Sequence, residues 1–140
     1  MMLKTKYHGE VDINEAQILK FEGGIPGFVE EKEFAVLPLE ENSPFLILQS
    51  AATPELAFVV TSPFLFFKDY EFDLDENTVE ALSIEDAQQV QIMVILTVQD
   101  PFDKTTANLQ APIVVNEVTK QAKQVILNHP SYKTKHSIVQ

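Results

Sequence analysis

Carboxylates at every second position between residues 69 and 75 are the residues in this chain whose spacing most clearly suggests a site. They are interleaved with aromatic and aliphatic side chains in the order Asp69, Tyr70, Glu71, Phe72, Asp73, Leu74, Asp75. Because an extended backbone turns alternate side chains to opposite faces, the acids would share one face of a strand over Phe64 to Asp75. The sequence allows two interpretations, a docking stripe for a basic partner or the solvated face of an amphipathic strand.

Calcium binding is the other chemistry that these acids bring to mind. The run Asp73-Leu74-Asp75-Glu76-Asn77 matches the opening of an EF-hand loop. Such a loop needs glycine at its sixth position and a bidentate glutamate at its twelfth. Thr78 and Ile84 occupy those positions here. The sequence therefore predicts no calcium site.

Catalytic chemistry finds little support elsewhere. His8, His129 and His136 are scattered, and none has metal-ligand spacing to another histidine or to a carboxylate cluster. There is no glycine-bracketed serine and no Walker loop, and Pro26 stands where a phosphate-cradling loop needs a free N–H. Adjacent acids such as Glu30 and Glu31 have no evident apolar pocket that would shift a pKa. We predict a protein that is not an enzyme and that has no cofactor and no metal.

The charge balance bears on the kind of partner. The chain has 21 acidic residues and 10 basic ones, for a net charge of −11, and every basic residue is lysine. Arginine is the preferred donor to phosphates and base edges, so direct nucleic-acid binding is not expected. A negative field instead favours encounter with a basic partner, although it is also typical of an ordinary soluble acidic protein.

Composition also indicates a compartment. The 140 residues include no cysteine, which suits a reducing environment, and the N-terminus lacks the apolar core of a signal peptide. No apolar run approaches the roughly 20 residues that a membrane-spanning helix needs. We expect a cytoplasmic protein with no membrane contact.

The elements that must position these residues are mainly strands. Eight prolines interrupt the apolar runs and leave little room for long helices. Strands are predicted at residues 3–11, 18–21, 34–39, 45–50, 56–62, 64–74, 89–99, 113–115 and 119–127. The run Val90 to Val98 is apolar on both faces near its middle and should lie centrally in a sheet. Residues 1–140 are thus predicted to form one mainly β domain, an antiparallel barrel or sandwich.

The only helical pattern covers Glu76 to Gln88. Val79, Leu82 and Ile84 offer a narrow apolar stripe, and Ser83 to Asp86 resembles a capping box. One helix or two single turns would satisfy this pattern.

Three of the four glycines fall in one hexapeptide, Gly23-Gly24-Ile25-Pro26-Gly27-Phe28. Glycine permits a positive φ and proline fixes φ near −65°, so the pair specifies a tight turn. Phe21 and Phe28 flank it and are expected to anchor it on a core as a rigid corner.

A second motif completes a family pattern. It is Asn108-Leu109-Gln110-Ala111-Pro112-Ile113-Val114-Val115-Asn116, followed by Gln124 to Leu127. Together with Gly24 to Phe28 and Phe45 to Ser50, in this order and spacing, the chain resembles the flagellar assembly factor FliW family. The resemblance runs from about Phe21 to about Tyr132, and the tail after Tyr132 carries none of it.

The resemblance implies a fold and a role. The fold would be a compact antiparallel β-barrel with one or two short helical segments. The role would be a cytoplasmic, non-enzymatic binding protein that holds new flagellin and, when free, binds and antagonises CsrA, an RNA-binding repressor of flagellin translation. Exchange between these partners would couple flagellin synthesis to secretion.

Residues can be assigned to these partners as hypotheses. We expect the acidic stripe, defined as Asp69, Glu71, Asp73, Asp75 and Glu76, to contact the basic surface of CsrA. For flagellin we expect an exposed apolar groove that could include Phe64, Phe66 or Phe67, although these rings could equally belong to the core. The family-motif residues could be scaffold or contact surface: Gly24, Ile25, Pro26, Gly27, Phe28, Asn108, Leu109, Ala111, Pro112 and Asn116.

Two other functions remain open at this point. One is a small barrel that binds a small ligand, which would require a pocket with convergent polar groups. The other is a general acidic adaptor for protein interactions.

Overall fold

Short strands dominate the structure, a computed structural model that describes residues 2–138. Within that range the strands are β1 Met2–Thr5, β2 Gly9–Asp12, β3 Ile18–Lys20, β4 Glu33–Pro38, β5 Phe45–Ser50, β6 Ala57–Thr61, β7 Val90–Thr97, β8 Thr106–Ala107, β9 Ile113–Asn116, β10 Gln121–Gln124 and β11 His136–Ser137. The helix α1 spans Glu76–Ala81, and single 3-10 turns lie at Glu15–Gln17, Pro63–Leu65, Ala87–Gln89 and Phe102–Lys104.

Seven of these strands close into a barrel. Their order is β7-β6-β5-β4-β3-β10-β9, and β9 pairs back onto β7 to complete the ring. Neighbouring strands are antiparallel except β3 and β10, which are parallel. Strands β8 and β11 extend the sheet from β7, and β1 and β2 form a separate hairpin. The predicted mainly β barrel is confirmed.

The central position predicted for β7 has a clear cause. Val90 to Met93 pair with β9, whereas Val94 and Ile95 pair with β6. Strand β7 therefore joins the two ends of the ring and has protein on both faces. For this reason the residues near its middle are apolar whichever face they point to. Inside the barrel, Phe21 and Phe34 are fully buried and meet edge to face, with ring centroids 5.4 Å apart.

The N-terminal strand is shorter than the sequence predicted. The alternating residues 3–11 form the hairpin β1–β2, because the chain turns back after Thr5. The Thr5 hydroxyl donates to the Gly9 carbonyl at 2.8 Å, and Gly9 takes a φ of +64° that the turn requires. Alternation alone does not distinguish one strand from two strands joined by a turn.

The predicted strand over residues 64–74 is wrong, because no part of this segment pairs into a sheet. Pro63 opens a 3-10 turn, and its carbonyl accepts hydrogen bonds from the backbone N–H groups of Phe66 and Phe67. A second turn follows, in which the Tyr70 N–H donates to the Phe67 carbonyl at 3.0 Å. These local hydrogen bonds replace sheet pairing, and the rest of the segment lies outside the sheets.

The helical segment is split in two. Helix α1 ends at Ala81, and Ser83 follows with a φ of +54°, so the predicted capping box at Ser83 is wrong. The capping box in this region belongs to Asp86 and Gln89, which bracket the 3-10 turn Ala87–Gln89. The structure matches neither the single helix nor the two single turns, because a six-residue helix is followed by a separate 3-10 turn.

The tail after Tyr132 belongs to the fold. Strand β11 pairs with β8, and Ile138 is buried against the core cluster that includes Tyr70 and Leu109. The Lys133 carbonyl accepts hydrogen bonds from the N–H groups of Leu109 and Gln110. The tail therefore helps to position the residues on which the acidic stripe rests.

Candidate functional site

The acidic stripe has the two-faced arrangement that the sequence predicts for residues 69–75. Asp69, Glu71, Asp73 and Asp75 are exposed, whereas Tyr70 is buried and Phe72 and Leu74 are half-buried. This alternation arises without sheet pairing, so side chains must hold the segment in place.

Tyr70 is the main anchor of that segment. Its hydroxyl donates to the Leu109 carbonyl at 2.7 Å, and its ring contacts Phe72 and Tyr132. Burial, and after it the nearby Tyr132, raises the pKa of the Tyr70 hydroxyl well above its usual range. The hydroxyl therefore stays protonated and remains a donor throughout the neutral range.

Tyr132 is a second anchor, and sequence analysis missed it. Its hydroxyl accepts a hydrogen bond from the Glu71 N–H at 3.0 Å and donates to the Glu71 carbonyl at 3.1 Å. One side chain thus satisfies both backbone groups that a neighbouring strand would otherwise satisfy. No sequence pattern relates residues 71 and 132, which are brought together only by the fold.

Asp75 has a structural role within the stripe. It is the N-cap of α1, and its side chain accepts from the Thr78 N–H at 2.8 Å. Contacts with Thr78, first with the side chain and then with the backbone N–H, lower the pKa of Asp75. Glu76 follows as the first residue of the helix and is exposed.

An apolar groove runs beside the stripe. We call it the acidic groove because the charged residues that line it are all acidic. It has a volume of about 700 Å³ and lies between the segment 70–74 and residues 84–92. Phe64, Leu74, Val79 and Ile84 are among its apolar lining residues. The charged residues that line it are Glu71, Glu85 and Asp86.

The three phenylalanines predicted for an apolar surface take different positions. The Phe64 side chain is 47% exposed and lines the acidic groove. Phe66 and Phe67 are half-buried and pack against the core cluster around Tyr70. Phe64 is therefore the available surface ring, while Phe66 and Phe67 are largely core residues.

The glycine motif forms the tight turn that its sequence predicts. The Phe28 N–H donates to the Ile25 carbonyl at 2.6 Å, and Pro26 and Gly27 occupy the two central positions. Gly27 has a φ of +88°, as the third residue of a type II turn requires. Ile25 is buried, and the half-exposed Phe28 ring meets Phe58 edge to face.

The second motif is mostly internal. Leu109, Ala111 and Pro112 are buried, and the Asn108 side chain accepts from the Ala111 N–H at 3.1 Å. Asn116 is fully buried, and its amide donates to the Leu82 carbonyl at 2.8 Å while its oxygen accepts from the Val118 N–H at 2.9 Å. Asn116 thus ties the end of α1 to the β9–β10 turn.

Two further observations concern cofactors and membranes. Within residues 2–138, no cluster of three or more histidine, aspartate or glutamate side chains has the geometry to hold a metal ion. Over the same residues, no helix is both long and apolar enough to cross a membrane.

The fold defines the class as a small closed β-barrel with surface grooves beside its one α-helix within the described range. A solved structure described as the crystal structure of the flagellar assembly factor FliW superposes with a TM-score of 0.94, at 54% identity, covering 100% of this chain and 98% of that one. The sequence profile of the FliW protein family matches residues 2–138.

Curated relatives carry the same name. The flagellar assembly factor FliW of Bacillus subtilis strain 168 is 59% identical over 138 residues, covering 99% of this chain and 96% of the relative. That of Geobacillus thermodenitrificans strain NG80-2 is 58% identical over 138 residues, covering 99% and 95%. This chain belongs to the FliW family. The match also corrects the sequence analysis, since it includes the N-terminal hairpin and the tail as far as Ile138.

Proposed function

We propose that this protein is a cytoplasmic flagellar assembly factor that binds flagellin and, when free of flagellin, binds and antagonises CsrA. Its family membership supports the flagellar role, because its relatives are named flagellar assembly factors. The observation that carries the binding role is the acidic stripe beside an apolar groove, held in place by Tyr70 and Tyr132.

The stripe fits a basic partner on electrostatic grounds. Asp69, Glu71 and Asp73 are exposed on a segment whose backbone Tyr132 anchors at Glu71, so little backbone order has to be created on binding. An RNA-binding regulator must expose basic residues, and complementary charge raises its association rate. The bound acidic surface would also repel RNA phosphates from the regulator.

The acidic groove offers flagellin an apolar surface. Phe64 and Leu74 lie in the groove, and Glu71 belongs both to its wall and to the stripe. A partner in the groove and a partner on the stripe would therefore meet at Glu71. This overlap gives a physical basis for exchange between flagellin and CsrA.

Charge reversal of the stripe tests the CsrA assignment. We expect D69K, E71K and D73K combined to weaken CsrA binding by at least about tenfold at low salt and to flatten its salt dependence, because favourable charge pairs become repulsive. Isothermal titration at several salt concentrations measures both effects. Asp75 is left unchanged because it caps α1.

The matched control carries the same charge change elsewhere. Glu10, Glu15 and Glu117 are exposed and lie outside the stripe, so E10K, E15K and E117K combined should retain most of the affinity. An equal loss of affinity in both triple variants would show that only the net charge matters, and an unchanged affinity in the stripe variant would reject the assignment.

The acidic groove is tested in the same way with flagellin. We expect F64S to lose flagellin binding and V118S to retain it.

The small-ligand alternative receives no support from the barrel interior. Core side chains fill it, among them Phe21, Phe34 and Leu48, each fully buried. The grooves described here lie on the surface, which suits partner proteins.

A further inference from the structure

A second groove lies on the other side of α1, and its charge is opposite to that of the acidic groove. It has a volume of about 680 Å³ and is bordered by the glycine turn, by β3 and β10 and by the end of α1. Val29, Phe21 and Ala122 contribute apolar lining. Three lysines, Lys20, Lys32 and Lys123, line it as well, and we call it the lysine groove.

The local charge of the lysine groove contrasts with that of the molecule. Its three lysines face two glutamates, Glu22 and Glu33, so its lining is net positive in a chain whose net charge is −11. One of the glutamates, Glu33, lies directly opposite Lys20 in the β3–β4 register. The charge of Lys123 also helps to lower the pKa of the Asp75 carboxylate, so this lysine is partly offset as well. Lys32, with the remaining charge of Lys123, therefore supplies most of the positive potential that is open to a ligand.

The groove has a rigid wall. Gly24 has a φ of +72°, and a Cβ at this position would overlap the backbone of Val29. This close approach fixes the turn that presents the Val29 side chain, which is 62% exposed. The Val29 side chain thus gives the groove an exposed apolar contact point beside its lysines.

We propose that the lysine groove binds an acidic amphipathic peptide segment, with its apolar side chains against Val29 and its carboxylates at the lysines. Charge complementarity selects this occupant. A basic segment would be repelled by Lys20, Lys32 and Lys123. An acidic segment would be attracted to these lysines, whereas the rest of the surface would repel it. This assignment goes beyond the flagellin and CsrA proposal, which uses the acidic stripe and the acidic groove. The two surfaces interact where the charge of Lys123 acts on Asp75.

The two grooves are close neighbours. Val79 of α1 lines the acidic groove, while Ala81 of α1 and the following residue, Leu82, line the lysine groove, so α1 borders both. The protein would thus offer a site for a basic partner and a site for an acidic segment on the two sides of one helix.

A pair of synthetic peptides tests the proposal. One peptide has leucines on one helical face and glutamates on the other, and its counterpart has lysines in place of the glutamates. We expect amide chemical-shift changes from the glutamate peptide at Val29, Lys32 and Lys123, and none at these residues from the lysine peptide. Binding of both peptides at these residues would overturn the charge assignment.

Variants of the full chain complete the test. Lysine neutralisation by K20Q, K32Q and K123Q combined should weaken binding of the glutamate peptide by about tenfold at low salt, whereas K4Q, K104Q and K135Q combined should not. V29D should abolish this binding, while V118D, at an exposed valine outside the groove, should leave it intact. Equal affinity in the two lysine variants, with unchanged melting temperatures, would overturn the proposal.

Discussion

Gly24 shows how a single position shapes a surface. Its positive φ and the Val29 backbone that lies against it leave no room for a side chain. Gly23, one residue earlier, faces open space. The two adjacent glycines therefore have different structural roles, although the sequence presents them as a pair.

Replacing each glycine by alanine separates these roles. We expect G24A to lower the free energy of unfolding by about 2 to 4 kcal/mol, because the left-handed conformation and the overlap with Val29 both oppose a Cβ. G23A should change it by less than about 0.5 kcal/mol. Urea denaturation measures both values, and similar losses in the two variants would contradict this account.

Asn116 and Asp75 show that a polar residue in a family motif or an acidic stripe can be structural. The Asn116 amide is buried and donates to the Leu82 carbonyl at the end of α1. The Asp75 carboxylate is exposed and caps the start of the same helix. A loss of partner binding in variants of these two residues therefore has to be compared with the change in the stability of α1.

At the scale of elements, the segment that carries the stripe is extended but unpaired. Tyr132 replaces a neighbouring strand by bonding both backbone groups of Glu71. Tyr70 anchors the buried side of the segment through the hydrogen bond from its hydroxyl to the Leu109 carbonyl. The stripe is thus held by two tyrosines rather than by the backbone hydrogen bonds of a sheet.

Removing one hydroxyl tests this arrangement. We expect Y132F to lower the free energy of unfolding by about 1 to 2 kcal/mol and to reduce hydrogen-exchange protection of the Glu71 amide, because two hydrogen bonds are lost. Y7F, at an exposed tyrosine of the β1–β2 turn, is the control and should change neither quantity. Retained protection of the Glu71 amide in Y132F would show that the hydroxyl is dispensable.

The C-terminal elements have a similar dependence on one side chain. The Lys133 N–H donates to the ring nitrogen Nε2 of His136 at 2.8 Å, which requires that nitrogen to be unprotonated. Burial, and then the charge of Lys133, lowers the pKa of His136. Its contribution to stability is therefore present above about pH 6.5 and is lost as the pH falls through the folded-state pKa.

At the scale of the whole molecule, charge is the dominant feature. A net charge of −11 on 140 residues places many exposed carboxylates near one another, and their repulsion opposes the compact state. The lysine groove is a local exception to this field. Partners of opposite charge would consequently be directed to different sides of α1.

Added salt should stabilise the protein. Raising sodium chloride from about 0.01 M to about 0.15 M shortens the Debye length from about 30 Å to about 8 Å. We expect the melting temperature at pH 7 to rise by a few degrees, because repulsion is screened. D69N, E71Q and D73N combined should show a smaller rise, and a melting temperature that falls with salt in the parent protein would argue against net repulsion.

Much of the barrel and one face of the candidate site could be predicted from the order of the residues. Phe45–Ser50 is a strand at the predicted bounds, because an apolar run with clear turns on both sides admits few alternatives. The alternation of acids and apolar residues over 69–75 likewise fixed which side chains face solvent. Order and spacing of the motifs identified the family.

The support of the stripe and the location of the grooves depend on contacts between residues that are distant in the sequence. The Tyr132–Glu71 hydrogen bonds span 61 positions, and the lysine groove joins residues from β3, from the glycine turn and from β10. Periodicity describes neighbours along one element, whereas these contacts depend on how the ring closes. The sequence therefore predicted the faces of the elements, and the closure of the barrel determined which faces meet.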